Sequence, residues 1–567
     1  MEAFLMHKNT SLSIRALARL FAFCFMLTAA LGCYAAETAP QLPEPAPTVT
    51  VYAKMGDGTE LPTDLYYPPN GEIGKTYPCL LVRVPAGRKA PPWTALSRLA
   101  HYDYVVAIQD TRNVLDKSGK TLPCVADGRD GYDAVEWLAN SSFTNGKVGT
   151  IGFSAAGISQ LMMAPTAPPS LYCQYIGQAA GSLYHHAIYQ GGQFNKNLVE
   201  SWLGLHAPDK DVLAAVKSQV HYNDFWKQVN TMEVAHQVDV PAVHYGGWYD
   251  PFLQGTIDSF VARQHHGKEG AKEEQKLLIG PWNHFWPLDL TLGEFNVPAA
   301  AKQLPEEFSP VRWFDHHLKE RDNGADGIHA VTYFVMGPLD GTASSGNVWR
   351  HADQWPIPAK MTTYYLTASR TLTTTPEKES GSLSFESDPA NPVPTIGGRN
   401  LFLPSGPRDQ RSIEGREDVL VFTTEPFAED MEITGQIVAH LYFTSSVPDT
   451  DIAVRLTDVY PDGKSVLVVD GINRTGMAFH NQPKEHLNQP VMLPIDLQAT
   501  SLVFAKGHRL RISIAGSNYP RYEVNQNRGI EYDSKEPPAI AKTAIHFGIN
   551  TPSYVLLPIV PAVIQAK

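Results

Sequence analysis

Cysteine is scarce in this chain of 567 residues, which has only five, and no two of them are spaced as Cys-x-x-Cys. No cysteine–histidine pattern of the zinc type occurs either, which argues against a structural metal and against a redox pair. Cys24 and Cys33 fall in an apolar N-terminal segment, and the remaining three cannot all pair within one chain. In an oxidising compartment we expect one disulfide, between Cys124 and Cys173.

Positive charge is also in short supply, because 46 Lys and Arg face 58 Asp and Glu, for a net charge of −12 at pH 7. Proteins that bind nucleic acid generally present a basic surface, so this balance argues against that class.

Internal repeats and long low-complexity tracts are lacking as well. Since 567 residues are more than a domain with a single hydrophobic core usually contains, we expect two or three domains.

Apolar runs long enough to span a membrane are lacking. The longest candidate, residues 20–32, is too short for a span. Basic residues precede it, namely Lys8, Arg15 and Arg19. Because small residues follow the run, we interpret residues 1–36 as a signal peptide with cleavage after Ala35.

A second interpretation of this segment is a lipoprotein signal, with lipid attached at Cys33 behind Gly32. Ala30 stands where leucine is usual in such signals, which disfavours the lipoprotein interpretation. In either case the sequence predicts an exported protein with no membrane span, which is water-soluble or tethered only by lipid.

The rest of the chain begins with a proline-rich stretch at residues 37–48, which we expect to be a flexible leader. Beyond it, short apolar runs alternate with helical patterns. Residues 78–84 and 104–110 are typical of buried strands, and residues 127–140 are typical of an amphipathic helix. This alternation predicts a parallel sheet covered by helices over residues 49–184.

Residues 185–237 have helical spacing and no strand-like runs, so we interpret them as a helical cap inserted into the α/β domain. The α/β pattern resumes over residues 238–352, with strands expected at 241–248 and 276–282. From 353 to 567, short runs rich in β-branched residues are separated by turns every ten residues or so. That pattern predicts a C-terminal all-β jelly-roll domain.

A serine stands among small residues in "GTIGFSAAGIS", residues 149–159. The residues before Ser154 predict a strand and those after it a helix, so the serine lies at a sharp turn that requires small neighbours. Such a turn lifts the hydroxyl out of the sheet and puts the N–H of Ala155 at a helix N-terminus, where it can receive negative charge. The motif alone fits a nucleophile and a merely structural turn equally well.

A nucleophilic serine needs a base, and the base needs a carboxylate that holds its tautomer. Asp250 follows the strand expected at 241–248, and His284 follows the one at 276–282. Both therefore fall at the carboxyl ends of parallel strands, in the Ser, Asp, His order of α/β-hydrolases. This arrangement predicts that Ser154, Asp250 and His284 form a catalytic triad.

Each of these residues also has a plainer interpretation. Asp250 is placed to cap a helix beginning at Pro251, and His284 is one of 20 histidines. His185 and His186, near the cap entrance, are its strongest rivals as the base. The remaining rivals fit structural roles better, and they are His244, His265, His266, His316 and His317.

Stretches from nearly the whole chain beyond residue 36 resemble, in family order, the cocaine esterase and X-Pro dipeptidyl-peptidase family of serine hydrolases. That family also contains α-amino acid ester hydrolases and glutaryl-cephalosporin acylases. The matching stretches include "DGTELPTDLYYP", "DGYDAVEWLA", "GKVGTIGFSAAGISQ", "GGWYDPF", "GPWNH", "RWFDHHLK", "DPANPVPTIGG", "DTDIAVRLTDVYPDG" and "GHRLRISIAGSNYPRY". The resemblance implies an α/β-hydrolase domain with a helical cap and a C-terminal jelly roll packed beside it. It assigns the nucleophile to Ser154, the acid to Asp250 and the base to His284, with no metal and no organic cofactor.

The chain departs from this family at the oxyanion hole. Many members have a tyrosine whose hydroxyl completes that hole, and Ala86 takes its place in "VRVPAGRKA". Ala155 stands where many members have a second tyrosine, but its backbone N–H is retained. For the other donor we expect a backbone N–H of Ala86 or Gly87, with the side chain of Arg88 or Lys89, or a water, as alternatives.

We therefore expect a secreted hydrolase of small acyl or amino-acyl esters or amides that works through an acyl-enzyme on Ser154. One alternative is an X-Pro dipeptidyl-peptidase, which needs carboxylates near the cap to hold a free amine, and Glu200, Asp209 and Asp224 are available. Another is a catalytically inert protein whose jelly roll binds carbohydrate or a surface. The sequence leaves both a monomer and a homo-oligomer open.

Overall fold

The computed structural model describes residues 42–72, 74–85, 87–112, 124–206, 210–480, 484–529 and 537–561. Four features of the sequence prediction lie outside the described residues: the signal peptide, Cys33, Ala86 and Asp209. Within the described ranges, no helix has both the length and the apolar character needed to cross a membrane.

The N-terminal part of the chain is built on one large sheet. Its strands and those of two small hairpins are β1 (Val49–Lys54), β2 (Glu60–Tyr66), β3 (Tyr77–Val84), β4 (Val105–Asp110), β5 (Thr144–Phe153), β6 (Leu171–Gly177), β7 (Tyr189–Gln190), β8 (Gln193–Phe194), β9 (Ala242–Tyr249), β10 (Gln275–Asn283), β11 (Thr291–Leu292), β12 (Phe295–Asn296), β13 (Val331–Val335) and β14 (Val348–Ala352). The ten strands of the large sheet are ordered β1-β2-β4-β3-β5-β6-β9-β10-β13-β14.

The large sheet is mixed, with the predicted parallel strands at its centre and antiparallel pairings at its edges. Strands β3 to β6, β9, β10 and β13 pair in parallel, whereas β1, β2 and β14 run antiparallel at the two edges. The β1–β2 hairpin turns at Gly58, whose N–H donates to the carbonyl of Met55 (2.9 Å). Because the parallel strands are covered on both faces, strands such as β3 and β4 are buried throughout.

Helices cover both faces of this sheet and form the cap. They are α1 (Asp127–Ala139), α2 (Ala155–Met163), α3 (Lys196–His206), α4 (Lys210–Ser218), α5 (Asp224–Lys227), α6 (Leu253–His266) and α7 (Pro310–Lys319). Short 3₁₀ segments occur at Thr94–Tyr102, Ala164–Thr166, Ala235–Gln237, Ala299–Ala301, Glu306–Phe308 and Glu485–Leu487. Helices α1, α2 and α6 lie on one face of the sheet, and segment Thr94–Tyr102 and α7 lie on the other.

The cap region is helical as predicted from Lys196 onward, but its first residues differ from the prediction. A π-helical turn at Tyr184–Ile188 leads into the β7–β8 hairpin. This hairpin docks on the C-terminal domain, since the N–H of Arg474 donates to the carbonyl of Gly191 (2.9 Å). Two-residue strands lack the alternating pattern that sequence analysis can detect, so the hairpin could not be predicted.

The C-terminal part is an antiparallel sandwich. Its strands are β15 (Lys360–Leu366), β16 (Leu372–Thr373), β17 (Gly381–Ser387), β18 (Leu420–Thr423), β19 (Met431–Ser445), β20 (Asp451–Val459), β21 (Ser465–Arg474), β22 (Val491–Phe504), β23 (Arg509–Ala515), β24 (Ala541–Phe547) and β25 (Tyr554–Ile559), with short helices α8 (Arg411–Glu414) and α9 (Thr475–Ala478). One sheet is ordered β16-β15-β25-β19-β24-β17 with β22 also on β19, and the other β18-β23-β20-β21. Buried apolar residues of both sheets join the same core, as a jelly-roll sandwich requires.

The predicted disulfide is wrong, because Cys79, Cys124 and Cys173 are all free, buried thiols. Cys173 lies in β6 and packs into the core cluster that contains Tyr175. Cys124 instead packs with Ile158 in a different cluster. Successive residues of a strand point to opposite faces, so the side chains of Cys173 and Cys124 lie on opposite sides of the sheet.

Candidate active site

Ser154 lies at a sharp turn between β5 and α2, with φ of 56° and ψ of −129°. A positive φ is unfavourable for a residue with a Cβ, so the surroundings must hold this conformation. The N–H of Ser154 donates to the carbonyl of Gly177 at the end of β6 (3.0 Å), and the Ser154 carbonyl accepts the N–H groups of Gly157 and Ile158, both at 2.9 Å. The turn is thereby fixed from both sides.

Close packing explains the small residues around Ser154. A Cβ on Gly152 would lie 2.8 Å from the Cβ of Ala156, and a Cβ on Gly157 would lie 2.6 Å from the carbonyl oxygen of Gly177. Real Cβ atoms do not tolerate such distances. The first turn of α2 can therefore sit directly on the ends of β5 and β6 only because these positions are glycine.

His284 lies between Ser154 and Asp250. Its Nε2 is 2.9 Å from the Ser154 Oγ, and its Nδ1 is 2.6 Å from Asp250 Oδ2. A carboxylate can only accept, so Nδ1 carries a proton and Nε2 is free to accept the Ser154 hydroxyl proton. The three side chains, predicted from strand order alone, thus form a continuous hydrogen-bonded chain.

The two oxygens of Asp250 have separate partners. Oδ2 accepts from His284, while Oδ1 accepts the backbone N–H of Phe252 (2.6 Å), just before α6. The carboxylate is fully buried. Asp250 thus contacts the histidine, but it does not cap a helix that begins at Pro251. Its Oδ1 holds the turn that precedes α6, which begins at Leu253 with Phe252 as its N-cap.

The imidazole of His284 is held by its neighbours as well as by Asp250. The rings of Phe252 and Phe285 stand edge-on to it, with centroids at 5.4 and 5.7 Å. The carbonyl of Asn283 accepts the side-chain amide of Gln178 (3.0 Å), which is buried at the end of β6. Sequence analysis missed Gln178, and recognising "LYCQYIG" as a strand would have placed it at this edge.

The rival histidines are engaged elsewhere. His186 Nε2 lies 3.0 Å from Asp258 in α6, and His185 Nδ1 lies 3.0 Å from the hydroxyl of Ser182. His244 sits inside β9 against Gln275, and burial lowers its pKa to about 3. The other rivals lie on helix ends away from Ser154, namely His265 and His266 in α6 and His316 and His317 in α7.

The predicted second oxyanion donor cannot be placed, because Ala86 lies outside the described residues. The side chain of Arg88, one of the alternatives, is paired with two carboxylates. Its Nη1 lies 2.5 Å from Asp110 Oδ2 and its Nε lies 3.0 Å from Asp64 Oδ1. These two carboxylates engage the guanidinium and disfavour Arg88 as a direct oxyanion donor.

The carboxylates considered as amine anchors have cationic partners in the structure. Glu200 lies within 3.0 Å of both Lys196 and Lys217. Asp224 is exposed and pairs with Lys227 (2.8 Å). These pairings neutralise the two carboxylates, and Asp209 lies outside the described ranges.

A loop of the C-terminal domain reaches the region of the site. Gly398 and Gly406 pair as an antiparallel bridge, which closes a loop across residues 399–405. Leu401 in this loop packs on the apolar cluster that includes Phe252, whose ring contacts His284. Among the described residues, no group of three or more His, Cys, Asp or Glu side chains is arranged to hold a metal ion.

Two family models match the chain. The model described as X-Pro dipeptidyl-peptidase (S15 family) matches residues 57–210 and 200–286, and the one described as X-Pro dipeptidyl-peptidase C-terminal non-catalytic domain matches residues 323–556. Together they cover both the α/β domain and the sandwich.

A curated relative matches over nearly its full length. The chain is 29% identical over 584 residues to cocaine esterase from Rhodococcus sp. (strain MB1 Bresler), covering 90% of this chain and 98% of that one. It is also 27% identical over 338 residues to a putative serine esterase from Mycobacterium bovis, covering 53% of this chain and 48% of the relative.

Solved structures share the complete architecture. An aminopeptidase from a marine sediment Thaumarchaeota archaeon superposes with a TM-score of 0.75 at 21% identity, over 93% of this chain and 99% of that one. An α-amino acid ester hydrolase superposes with a TM-score of 0.74 at 22% identity, over 93% of this chain and 100% of that one. These similarities show the fold. The two family models, which together match most of the chain, and the nearly full-length match to cocaine esterase show that the chain belongs to the cocaine esterase and X-Pro dipeptidyl-peptidase family of serine hydrolases, which act on esters or amides.

Proposed function

We propose that Ser154, His284 and Asp250 are the catalytic triad of this hydrolase, and that it cleaves acyl esters or amides through an acyl-enzyme. The observation that carries the proposal is the 2.9 Å contact between His284 Nε2 and Ser154 Oγ, with Asp250 2.6 Å from the other ring nitrogen. Ser154 also has the positive φ of a nucleophile held at a strand-to-helix turn.

In the first half-reaction, Ser154 Oγ attacks the substrate carbonyl carbon while its proton passes to His284 Nε2. Asp250 stabilises the resulting imidazolium. The tetrahedral oxyanion receives hydrogen bonds from the N–H of Ala155, in the first turn of α2, and from a main-chain N–H at Ala86 or Gly87. His284 then returns the proton to the leaving alcohol or amine, and the acyl group stays on Ser154.

In the second half-reaction, water attacks the acyl carbon as His284 takes one of its protons. Collapse of the second tetrahedral intermediate breaks the ester bond to Ser154, and the proton returns to the serine oxygen. The products are a carboxylic acid and the free enzyme.

We propose small acyl esters or amides as substrates in preference to amino-acyl substrates and X-Pro peptides, both of which carry a free ammonium group. The support is that Glu200 and Asp224 are already paired with lysines, which leaves neither free to hold a substrate ammonium group. A panel of acyl esters assayed beside an X-Pro chromogenic peptide separates these substrate classes. Faster turnover of the peptide than of every ester would reverse the preference.

The triad is tested with a fluorophosphonate probe, which forms a covalent bond to an activated serine. The wild-type protein should label and hydrolyse an ester, and Ser154→Ala should do neither. Labelling that persists in Ser154→Ala would contradict the assignment of the nucleophile. No labelling and no turnover in the wild type would favour an inert binding protein.

We also propose that the protein is exported after cleavage behind Ala35, on the strength of the basic and apolar N-terminal pattern. N-terminal sequencing of the mature protein tests this directly. A mature chain that starts at a lipidated Cys33 would support the lipoprotein alternative instead.

A further inference from the structure

We propose that Gln178 is a positioning residue for the catalytic base: its side chain holds the end of β10 so that the His284 imidazole stays within reach of the Ser154 hydroxyl. The proposal rests on the catalytic function proposed above. It adds to the triad a fourth residue, which acts through the main chain of Asn283, directly before His284.

The end of β10 is not held by a regular strand ladder. Between Gly280 and Asn283 the register of β10 against β9 shifts, and β10 carries one extra residue, as in a β-bulge. Pro281 lies inside this stretch and has no N–H to donate. Because the main-chain pairing is irregular just before His284, the position of the imidazole needs support from another part of the chain.

Gln178 gives this support from a strand that is not a neighbour of β10. Its Nε2 donates to the carbonyl of Asn283 (3.0 Å), and in the order β6-β9-β10 this bond bridges two strands that β9 separates. The N–H of Gln178 donates to the carbonyl of Tyr245 in β9 (2.7 Å), which fixes the main chain from which the side chain extends. The amide therefore ties the last residue of β10 to the end of β6.

The same corner of the chain also holds the nucleophile. The carbonyl of Gly177 accepts the N–H of Ser154 (3.0 Å), and Gly177 directly precedes Gln178. Two consecutive residues thus bind the main chain of the nucleophile and the main chain next to the base. The 2.9 Å contact between His284 Nε2 and Ser154 Oγ closes this path. The separation of base and nucleophile therefore depends on Gln178.

Glutamine is an unfavourable residue at position 178 unless its amide has a role. Its φ is 46°, in the left-handed region that residues with a Cβ rarely adopt. The side chain is buried, and among the described residues its Oε1 has no hydrogen-bond donor, which destabilises the fold. Nε2 is the atom that faces Asn283, because a carbonyl can only accept. Strain of this kind persists mainly where function requires the geometry.

The side chain of Asn283 is held as well. Its Oδ1 accepts the N–H of Phe285 (2.8 Å), and its Nδ2 donates to Asp289 Oδ2 (2.8 Å). These bonds fix the turn after His284, whereas Gln178 fixes the carbonyl before it. Loss of the Gln178 amide should therefore let the imidazole move away from Ser154 without unfolding the segment.

The test compares Gln178→Met with Gln275→Met. Gln275 is also a buried glutamine whose Nε2 donates to main-chain carbonyls, those of Val240 and Ala271, but it lies at the opposite end of β10. Methionine has the length of glutamine and lacks the donor. We expect Gln178→Met to lower kcat about 10- to 100-fold, because a displacement of about 1 Å can cost 10²-fold, with KM within about threefold of the wild type. Gln275→Met should keep the wild-type kcat.

A second readout separates positioning from a general structural effect. The rate of phosphonylation by a fluorophosphonate should fall in Gln178→Met by the same factor as kcat, since Ser154 gives its proton to His284 in that step too. In a His284→Ala background, Gln178→Met should lower the residual turnover by less than about threefold, because no base is left to position.

Three outcomes would overturn the proposal. The first is wild-type kcat and phosphonylation in a folded Gln178→Met protein. The second is the full further loss in the His284→Ala background. The third is an equal loss of kcat in Gln275→Met, because the effect would then be general destabilisation.

Gln178→Asn guards against misfolding of the methionine variant. Asparagine tolerates a positive φ and keeps the amide, but its side chain is one methylene shorter and cannot reach the Asn283 carbonyl. We expect kcat to be at least about fivefold lower, and an unchanged kcat would overturn the proposal. The outcome is separate from that of the triad. Turnover in Ser154→Ala refutes the proposed mechanism, whereas its loss there with full activity in the Gln178 variants refutes only the role of Gln178.

Discussion

Asp250 uses one carboxylate oxygen for His284 and the other for the backbone N–H of Phe252, each at 2.6 Å. The turn between β9 and α6 therefore determines which oxygen faces the imidazole, because the Phe252 N–H in that turn holds the other one.

This relationship predicts a large effect of Asp250→Asn. The Phe252 N–H must still find an acceptor, so the amide oxygen will turn to it and the amide NH₂ will face His284 Nδ1. His284 must then accept at Nδ1 and carry its proton on Nε2, where it can no longer receive the Ser154 proton. We expect kcat to fall about 10⁴-fold with the fold retained, as for a wrong tautomer in a serine triad. Steady-state kinetics and circular dichroism check this, and near-normal kcat would show that Asp250 does not set the tautomer.

Gly157→Ala should damage the site by sterics alone. The new Cβ would lie 2.6 Å from the Gly177 carbonyl, which also accepts the N–H of Ser154. We expect a loss of about 1–3 kcal/mol in unfolding free energy, as for other overpacked positions, together with a lower kcat. Gly204→Ala is the control, because no atom lies within 4 Å of its Cβ position and alanine favours helix. A fully active, fully stable Gly157→Ala would contradict the packing of α2 on β6.

His244 should make the folded protein less stable at acidic pH. Burial and the nearby Arg263 lower its pKa from 6.5 to about 3 in the folded protein. Between those values the unfolded chain binds a proton that the folded chain does not, so stability falls as pH decreases below 6.5, by at most about 1.4 kcal/mol per pH unit. His244→Gln should flatten this part of the profile. Urea unfolding at pH 4 to 7 measures it, and an unchanged slope in the variant would exclude His244 as the cause.

Arg399→Met should weaken the attachment of the sandwich to the α/β domain. The buried guanidinium donates to the carbonyls of Trp248 in β9 (3.0 Å) and of Leu497 and Ala499 in β22. Each carbonyl left without a donor costs about 1–3 kcal/mol, so we expect a loss of about 3 kcal/mol or more. The exposed Arg411, paired with Asp409, is the control, and Arg411→Met should leave the unfolding free energy nearly unchanged. Equal losses in both variants by urea unfolding would contradict the bridging role of Arg399.

Much of this protein could be predicted from its sequence. The apolar runs of strands such as β3, β4, β9 and β10 are easily seen in the sequence. Apolar residues recur with different periods in strands and in helices, so the two kinds of element can be told apart. Ser154, Asp250 and His284 each follow a strand, and parallel strands end at one edge of a sheet, so strand order alone brought these residues together. Residue types and strand order were therefore sufficient to predict which three side chains come together.

Tertiary packing decided the rest. Whether the Arg88 side chain is free or held by two buried carboxylates, whether Glu200 is free or paired, and whether Cys124 can reach Cys173 all depend on which side chains the folded chain brings together. The antiparallel edge strands and the docking of the β7–β8 hairpin on β21 depend on pairings between residues far apart in the chain. Such contacts form only when segments far apart in the chain come together, so they cannot be predicted from short-range patterns in the sequence.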